Sequence, residues 1–489
     1  MADKRHLVIA FLVIATIYGC GTFSPLGGQA VADTWFGIQG SISGDTYLVG
    51  QRFGDGVPGS QDDVGSVHVF VREDATSWPE TTTLESLLEP ESLTIGAEFG
   101  GGAVLIDGDT AVVGAYRNTV DEAAQAGNAF VFTRSGSTWT PQTVLEMPGG
   151  ATANARFGAA GDIDGNRLLL SAAGTGNAYV FTKSGENWDS GVELSGGTIG
   201  NPIGVAIDGN LAAVGNYGSN PHVDLWRYNQ TSDSWDFESA IANPGAADNL
   251  LGTSIDISGN TMVVSARQEM VDGSAHAGAV YIYGYADESW TLQQTIENPD
   301  PAVNDEFGYD VAIEGNRLAI GAPRDDTNET DAGLTYLFEL TGSTWALAET
   351  YSPETPEAGK WFGEIVDMSG DVLLAGGPGR SADPIGSGDA FWFEMDSIPV
   401  DPDIPGDANR DGTVNVLDAE ILASNWMGGG NPTWAEGDFN DDGLVNEIDA
   451  TIMSANWQAG PITSSTVPEP GTLALLLGLA SVALLFRRK

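Results

Sequence analysis

The sequence predicts a mainly β molecule: a seven-bladed β-propeller, then a small all-α module built on two acidic loops, then a C-terminal hydrophobic helix. Three observations predict it. A glycine-punctuated unit recurs seven times, two twelve-residue acidic loops repeat in register, and an uncharged run of sixteen residues precedes a basic end. The 489 residues suffice for two or three domains with a sizeable core. Lys and Arg number 19 against 68 Asp and Glu, a net charge of −49, and so acidic a surface repels phosphate backbones and excludes nucleic acid as a partner. With 65 glycines and 42% hydrophobic residues, the composition fits strands joined by tight turns and does not fit disorder.

The repeating unit opens with Phe-Gly, alternates apolar residues up to a Gly-Asp or Gly-Asn turn, and climbs into a second apolar stretch ending in a small pair. A variable loop, a Gly, an aromatic-rich strand, a polar turn, a Trp and a fourth extended segment complete it. The openings are Phe36-Gly37, Phe99-Gly100, Phe157-Gly158, Phe307-Gly308 and Phe362-Gly363, with Ile203-Gly204 and Leu251-Gly252 as degenerate copies. Turn glycines fall at Gly44, Gly108, Gly165, Gly209, Gly259, Gly315 and Gly370, and the Trp column is Trp78, Trp139, Trp188, Trp235, Trp290 and Trp345. Glycine between two apolar runs supplies the positive φ of a tight hairpin. In the sixth unit Val311 and Ile313 before the turn, and Leu318 and Ile320 after it, alternate with smaller or polar residues as half-buried strands do. Four antiparallel strands in a period of about 50 residues is the arithmetic of a propeller blade.

Over residues 33–398 this unit resembles the FG-GAP repeat, the blade motif of integrin-α-type propellers. Many blades of that family hold calcium between their second and third strands. Here those loops read Gly54-Asp55-Gly56 with Asp62-Asp63, or Arg324-Asp325-Asp326, without the full ligand spacing, so the resemblance brings no calcium to the propeller. The acidic pairs are expected to be solvated loop charge. The seventh unit reaches Phe391-Trp392-Phe393 and then Pro399, without a Trp turn or fourth strand, a gap that propellers commonly close by borrowing a strand from the other terminus.

A Pro-rich linker, 399–406, leads to the acidic loops. Asp407, Asn409, Asp411, Gly412, Thr413, Asn415 and Asp418 occupy positions 1, 3, 5, 6, 7, 9 and 12 of a calcium loop, and Asp438, Asn440, Asp442, Gly443, Leu444, Asn446 and Asp449 repeat it 31 residues later. Carboxylates and amides supply hard oxygens, position 7 supplies its carbonyl, and the glycine makes the sharp turn. One cysteine, Cys20, rules out an internal disulfide. Four histidines, His6, His68, His222 and His276, leave no material for a thiolate or His-rich zinc site, so any metal is hard and oxygen-bound. Pro402 and Pro405 before the first loop, and Gly428–Gly430 with Pro432 before the second, leave each with one following helix only. Leu417, Ile421, Leu422 and Trp426 recur as Ile448, Ile452, Met453 and Trp457, the expected small core between the halves. Residues 407–458 resemble a type I dockerin, which implies two calcium ions and a cohesin-like partner. Partner choice in that family leans on loop positions 10 and 11, here Val416-Leu417 and Glu447-Ile448.

Both ends are addresses. Lys4 and Arg5, an apolar run from Leu7 to Tyr18, and Ala30-Val31-Ala32 form a secretory signal over 1–32. Ile17-Tyr18-Gly19-Cys20 also has the form of a bacterial lipoprotein box, which would place the cut before Cys20 and leave residues 20–35 free to supply the missing strand. After a second linker, 459–467, the segment 468–489 holds Pro468-Glu469-Pro470, the uncharged run Gly471–Phe486 and Arg487-Arg488-Lys489. A helix of that run covers ~24 Å, marginal for a ~30 Å hydrocarbon core. This tail resembles the PEP-CTERM sorting signal, which implies an exosortase-type processing enzyme, export to the cell surface, and membrane anchoring that is at least transient.

No Gly-x-Ser-x-Gly elbow, phosphate loop or paired histidine is present, so no catalytic residue is assigned. The leading expectation is a surface protein whose propeller presents loops to a protein or glycan ligand. A polysaccharide hydrolase or lyase within an extracellular complex is the rival, and a structural matrix protein is a third reading.

Overall fold

The computed structural model describes residues 20–23, 35–53, 64–72, 84–88, 90, 93–197, 204–217, 220–286, 288–381, 388–395, 414, 419, 421–423, 425–426, 437–440 and 444–455. They fall into two units, a propeller up to Met395 and a C-terminal module beyond it. Ile203, Trp78, Gly54-Asp55-Gly56, Asp62-Asp63 and the signal residues 1–19 lie outside the described residues.

Among the described residues the strands form seven antiparallel sheets, each following the repeat from inner to outer strand. Blade six shows the pattern: Val311–Glu314, Arg317–Ala322, Leu334–Thr341 and Thr344–Tyr351, with Glu314 opposite Arg317 across the turn at Gly315. Blade three departs from it, because its fourth strand is split into Asn187–Trp188 and Val192–Glu193, both paired to Asn177–Ser184. Blade seven has three strands from its own repeat, Ile365–Ser369, Val372–Gly377 and Asp389–Glu394, and its fourth is Cys20–Phe23. That strand runs antiparallel, with Cys20 opposite Phe393 and Phe23 opposite Ala390. The borrowed strand therefore comes from within the stretch assigned to the signal.

The Phe-Gly phenylalanine is the pin of the five blades that have one. Phe99 packs edge-on against Phe130 and Phe132, Phe307 against Tyr336 and Phe338, and Phe362 against Phe391 and Phe393, with centroids 5.3–6.2 Å apart. In every case the partners are two residues apart on the third strand, one face of the pleat. The glycine that follows meets the next close approach. Gly363 has φ +90, and a Cβ on Gly321 of the preceding blade would lie 1.9 Å from the Gly363 carbonyl oxygen. The small pairs that end the second strands are small because backbone touches backbone there.

A second ring of contacts joins the turns. The residue before each turn glycine accepts a hydrogen bond from the turn-glycine N–H of the next blade. Ser43 takes Gly108, Asp107 takes Gly165, Asp164 takes Gly209, Asp208 takes Gly259, Ser258 takes Gly315, Glu314 takes Gly370 and Ser369 takes Gly44, at 2.6–3.1 Å. The last of these closes the ring.

Candidate metal centre and propeller axis

Of the predicted calcium ligands, Asp407, Asn409, Asp411, Thr413, Asn415, Asp418 and Asp442 lie outside the described residues, whereas Asp438, Asn440, Leu444, Asn446 and Asp449 lie within them. Asp449, at position 12, stands in the first turn of the helix Glu447–Ala455 and is fully buried. Its Oδ1 accepts the Phe439 N–H at 2.8 Å and its Oδ2 the Asn446 N–H at 3.0 Å, so it ties both ends of the loop together. Asn446 starts the helix by accepting the Ile448 N–H on Oδ1 at 2.8 Å. Asp438, at position 1, is also buried, at 2% exposure. Two buried carboxylates on one loop are costly unless a cation compensates them. The donor set therefore fits a hard divalent ion, with Asp438 and Asp449 as its charged ligands and Asn440, Asn446 and the Leu444 carbonyl as neutral ones. The Leu444 side chain is half exposed, as a residue that contributes only its carbonyl can be.

Val414, Leu422, Phe439, Val445 and Met453 form the module's core, with Ile421, Trp426 and Ile452 against it. Val414 and Val445 occupy position 8 of the two loops, which the sequence reading passed over; their matching place in the repeat was the available signal. Ile448, expected in this core, is 51% exposed instead. It sits one residue before Asp449, and since Asp449 faces the loop, its neighbour at about 100° round the helix faces solvent. Leu417 and Trp457 lie outside the described residues.

In the propeller, a cavity of about 360 Å³ follows the axis and is lined by inner-strand residues of all seven blades. Asp162, Asp256, Asp310 and Asp367 line it. Asp162, Asp256 and Asp367 occupy the same repeat position in blades three, five and seven, three residues before the turn glycine. Each accepts its own strand's next N–H on Oδ1 and, on Oδ2, an N–H of the following blade: Ile207, Ile313 and Ile42 at 2.7–2.8 Å. Asp310 bridges three blades through the Ser254 hydroxyl and the Val366 N–H. Burial pushes the carboxyls up, Asp162 and Asp310 to about 6 and Asp367 to about 7, and Asp256 is raised as well. These are convergent carboxyls beside a cavity, but their oxygens already hold blade to blade.

Salt bridges ring the other contacts between blades. Glu98 takes Arg52 at 2.7 Å and Arg117 at 2.9 Å, and Glu306 takes Arg267 at 3.2 Å. Asp325 is not solvated loop charge, as expected from sequence: it is 2% exposed and accepts the Tyr336 hydroxyl and the Thr327 N–H, both at 2.8 Å. Its neighbour Asp326 is exposed, as expected. The histidines are separate. His68 is buried between Phe36 and Phe70 with burial lowering it to about 4, His222 meets the Asn220 carbonyl, and His276 meets Asn304. Among the described residues no group of three or more His, Cys, Asp or Glu is placed to hold a metal. Among them, too, no helix is long and apolar enough to cross a membrane, and Gly471–Phe486 lies outside them.

Three family models match the chain. The FG-GAP repeat matches residues 235–283 and 290–338, the type I dockerin domain 405–456, and the PEP-CTERM protein-sorting motif 466–489. No curated protein matches it. Among solved structures, a putative 6-phosphogluconolactonase from Bacteroides uniformis ATCC 8492 is similar at 13% identity and a TM-score of 0.47, covering 68% of this chain and 89% of that one. Type I dockerin domains bind calcium and imply a cohesin partner, and the sorting motif implies exosortase processing of an exported, cell-surface-associated protein. The chain carries FG-GAP repeats in a seven-bladed β-propeller, a type I dockerin domain and a PEP-CTERM motif.

Proposed function

We propose that this protein is an exported surface binding protein. Its propeller presents loops to a protein or glycan ligand, and its dockerin module, loaded with two calcium ions, docks to a cohesin-like partner. The observation that carries the docking half is Asp449, a fully buried carboxylate whose two oxygens both face the second acidic loop. A second buried carboxylate, Asp438, stands on the same loop, and a cation bound by the loop would stabilise both. In the first loop the ligands would be Asp407, Asn409, Asp411, Asn415 and Asp418 with the Thr413 carbonyl. In the second, Asp442 joins the five residues described above. Exposed Ile448, beside Glu447 at loop position 10, belongs to the surface offered to the partner.

The binding role of the propeller is favoured over a glycosidase by the state of the axial carboxyls. A general acid there would have to release a backbone N–H that holds two blades together. The C-terminal tail delivers the protein to the surface and anchors it for as long as it remains attached.

Capture tests the proposal. The full chain is presented to a panel of cohesin domains in calcium and again in EGTA. Capture by at least one cohesin in calcium, lost at least tenfold in EGTA, is expected. No capture, or capture indifferent to the chelator, removes the docking role.

A further inference from the structure

We infer that the leader is cut at or before the Gly19–Cys20 bond and not after Ala32, so that Cys20–Phe23 stays in the mature protein as the strand that closes the propeller. This inference rests on the export reading above. Its first support is the pairing itself. Cys20, Gly21, Thr22 and Phe23 lie opposite Phe393, Trp392, Phe391 and Ala390, on the open edge of blade seven. A cut after Ala32 discards the strand and leaves that edge with unpaired N–H and C=O groups, a template for pairing with another chain.

The second support is the spacing of that strand from the first repeat. The step from the end of an outer strand to the next blade's opening is 11 from Leu88 to Phe99, 12 from Leu145 to Phe157 and 9 from Ala242 to Leu251. It is 10 from Glu297 to Phe307 and 11 from Tyr351 to Phe362. From Phe23 to Phe36 it is 13, one residue longer than the longest of these. The segment therefore stands where an outer strand of the repeat belongs, ahead of Phe36-Gly37, and blade seven is an ordinary repeat whose fourth strand is written at the other end of the chain. Only the amino-terminal limit of the mature chain decides whether it is present. In the cut, water divides the bond at the carbonyl: the new carboxylate leaves with the leader and the new amine begins the mature chain, with a leader peptidase as the catalyst.

The test is the amino terminus of the protein recovered outside the cytoplasm, by intact mass and terminal sequencing. A first residue at Cys20 or upstream of it is expected, and a first residue at Asp33 overturns the inference. An Ala32→Phe chain, blocked at the later site, is expected to mature at an unchanged residue; accumulation of its precursor counts against the inference. Chains expressed from Cys20 and from Asp33 complete the test, the second expected to melt lower or to self-associate. Equal melting and equal mass in solution overturn the closing role. A protein that stays in the cytoplasm removes the export reading and this inference with it, whereas an exported protein starting at Asp33 removes this inference alone.

Discussion

Asp367 shows what a single side chain does at the axis. It belongs to the last blade, and its carboxylate accepts the Met368 N–H of its own strand and the Ile42 N–H of the first blade, so it helps to shut the ring. Replacing it with Ala leaves both donors without an acceptor, at a cost of about 1–3 kcal/mol for such a buried group. Denaturant unfolding checks this. The same residue sets a pH slope. Burial raises Asp367 to about 7 and Asp162 and Asp310 to about 6, above an ordinary carboxyl at 3.8. Between pH 4 and 7 the folded state then holds more protons than the unfolded one, so this contribution is complete at the acid end and fades as pH rises through 7. Unfolding midpoints at pH 5, 6, 7 and 8 are expected to show it, with Asp367→Ala less sensitive to pH than the parent. An equal slope in both proteins would show that Asp367 does not titrate in this window.

At the scale of the element, the blade is held by one pin and one close approach. Phe362 sits between the rings of Phe391 and Phe393, while Gly363 turns the chain at a positive φ that brings its carbonyl against Gly321. Gly321→Ala is expected to destabilise the propeller by about 1–3 kcal/mol, because an added methyl there has to push two backbones apart. A thermal melt lowered by several degrees checks it; a melt unchanged would mean that the blades slide freely. These features were legible in the sequence because they are local: Phe-Gly, the turn glycines and the Trp column repeat at short, fixed offsets. Trp139, Trp235 and Trp345 are indeed buried at the heads of their outer strands. The alternation of Asp162, Asp256 and Asp367 was not legible. Each partner N–H belongs to the next blade, and Asp is common everywhere in so acidic a chain. The closing strand was legible as a gap in the seventh unit and, through the lipoprotein-type box, as a stretch between residues 20 and 35 that could fill it; its bounds, Cys20–Phe23, were not, since its residues resemble a leader more than a blade.

At the scale of the whole molecule, the two units depend on different physics. The propeller closes on its own apolar blades and on a ring of hydrogen bonds, with the axial carboxyls holding backbone N–H groups and Glu98 and Glu306 holding arginines. Among the described residues of the C-terminal module the core is small, made of the buried Val414, Leu422, Phe439, Val445 and Met453, and small cores commonly need a metal to fold. Its buried Asp438 and Asp449 add charge that a bound cation would offset. On the proposed reading, metal binding and folding are expected to be one equilibrium there and nearly independent in the propeller. Titrating EGTA into the full chain is expected to remove the small helical signal and the lower of two melting transitions while the β signal and the upper transition persist. Readdition of calcium restores both, and magnesium at equal concentration does not, because a flexible loop of many oxygen donors suits the larger ion. Asp449→Ala is expected to behave in calcium as the parent does in EGTA for the second loop, with one fewer ion bound by calorimetry. If both transitions survived EGTA unchanged, the acidic loops would be ordinary turns and the docking module would fold on its apolar core alone. If both were lost, calcium would have to act in the propeller too, against the spacing of its loops.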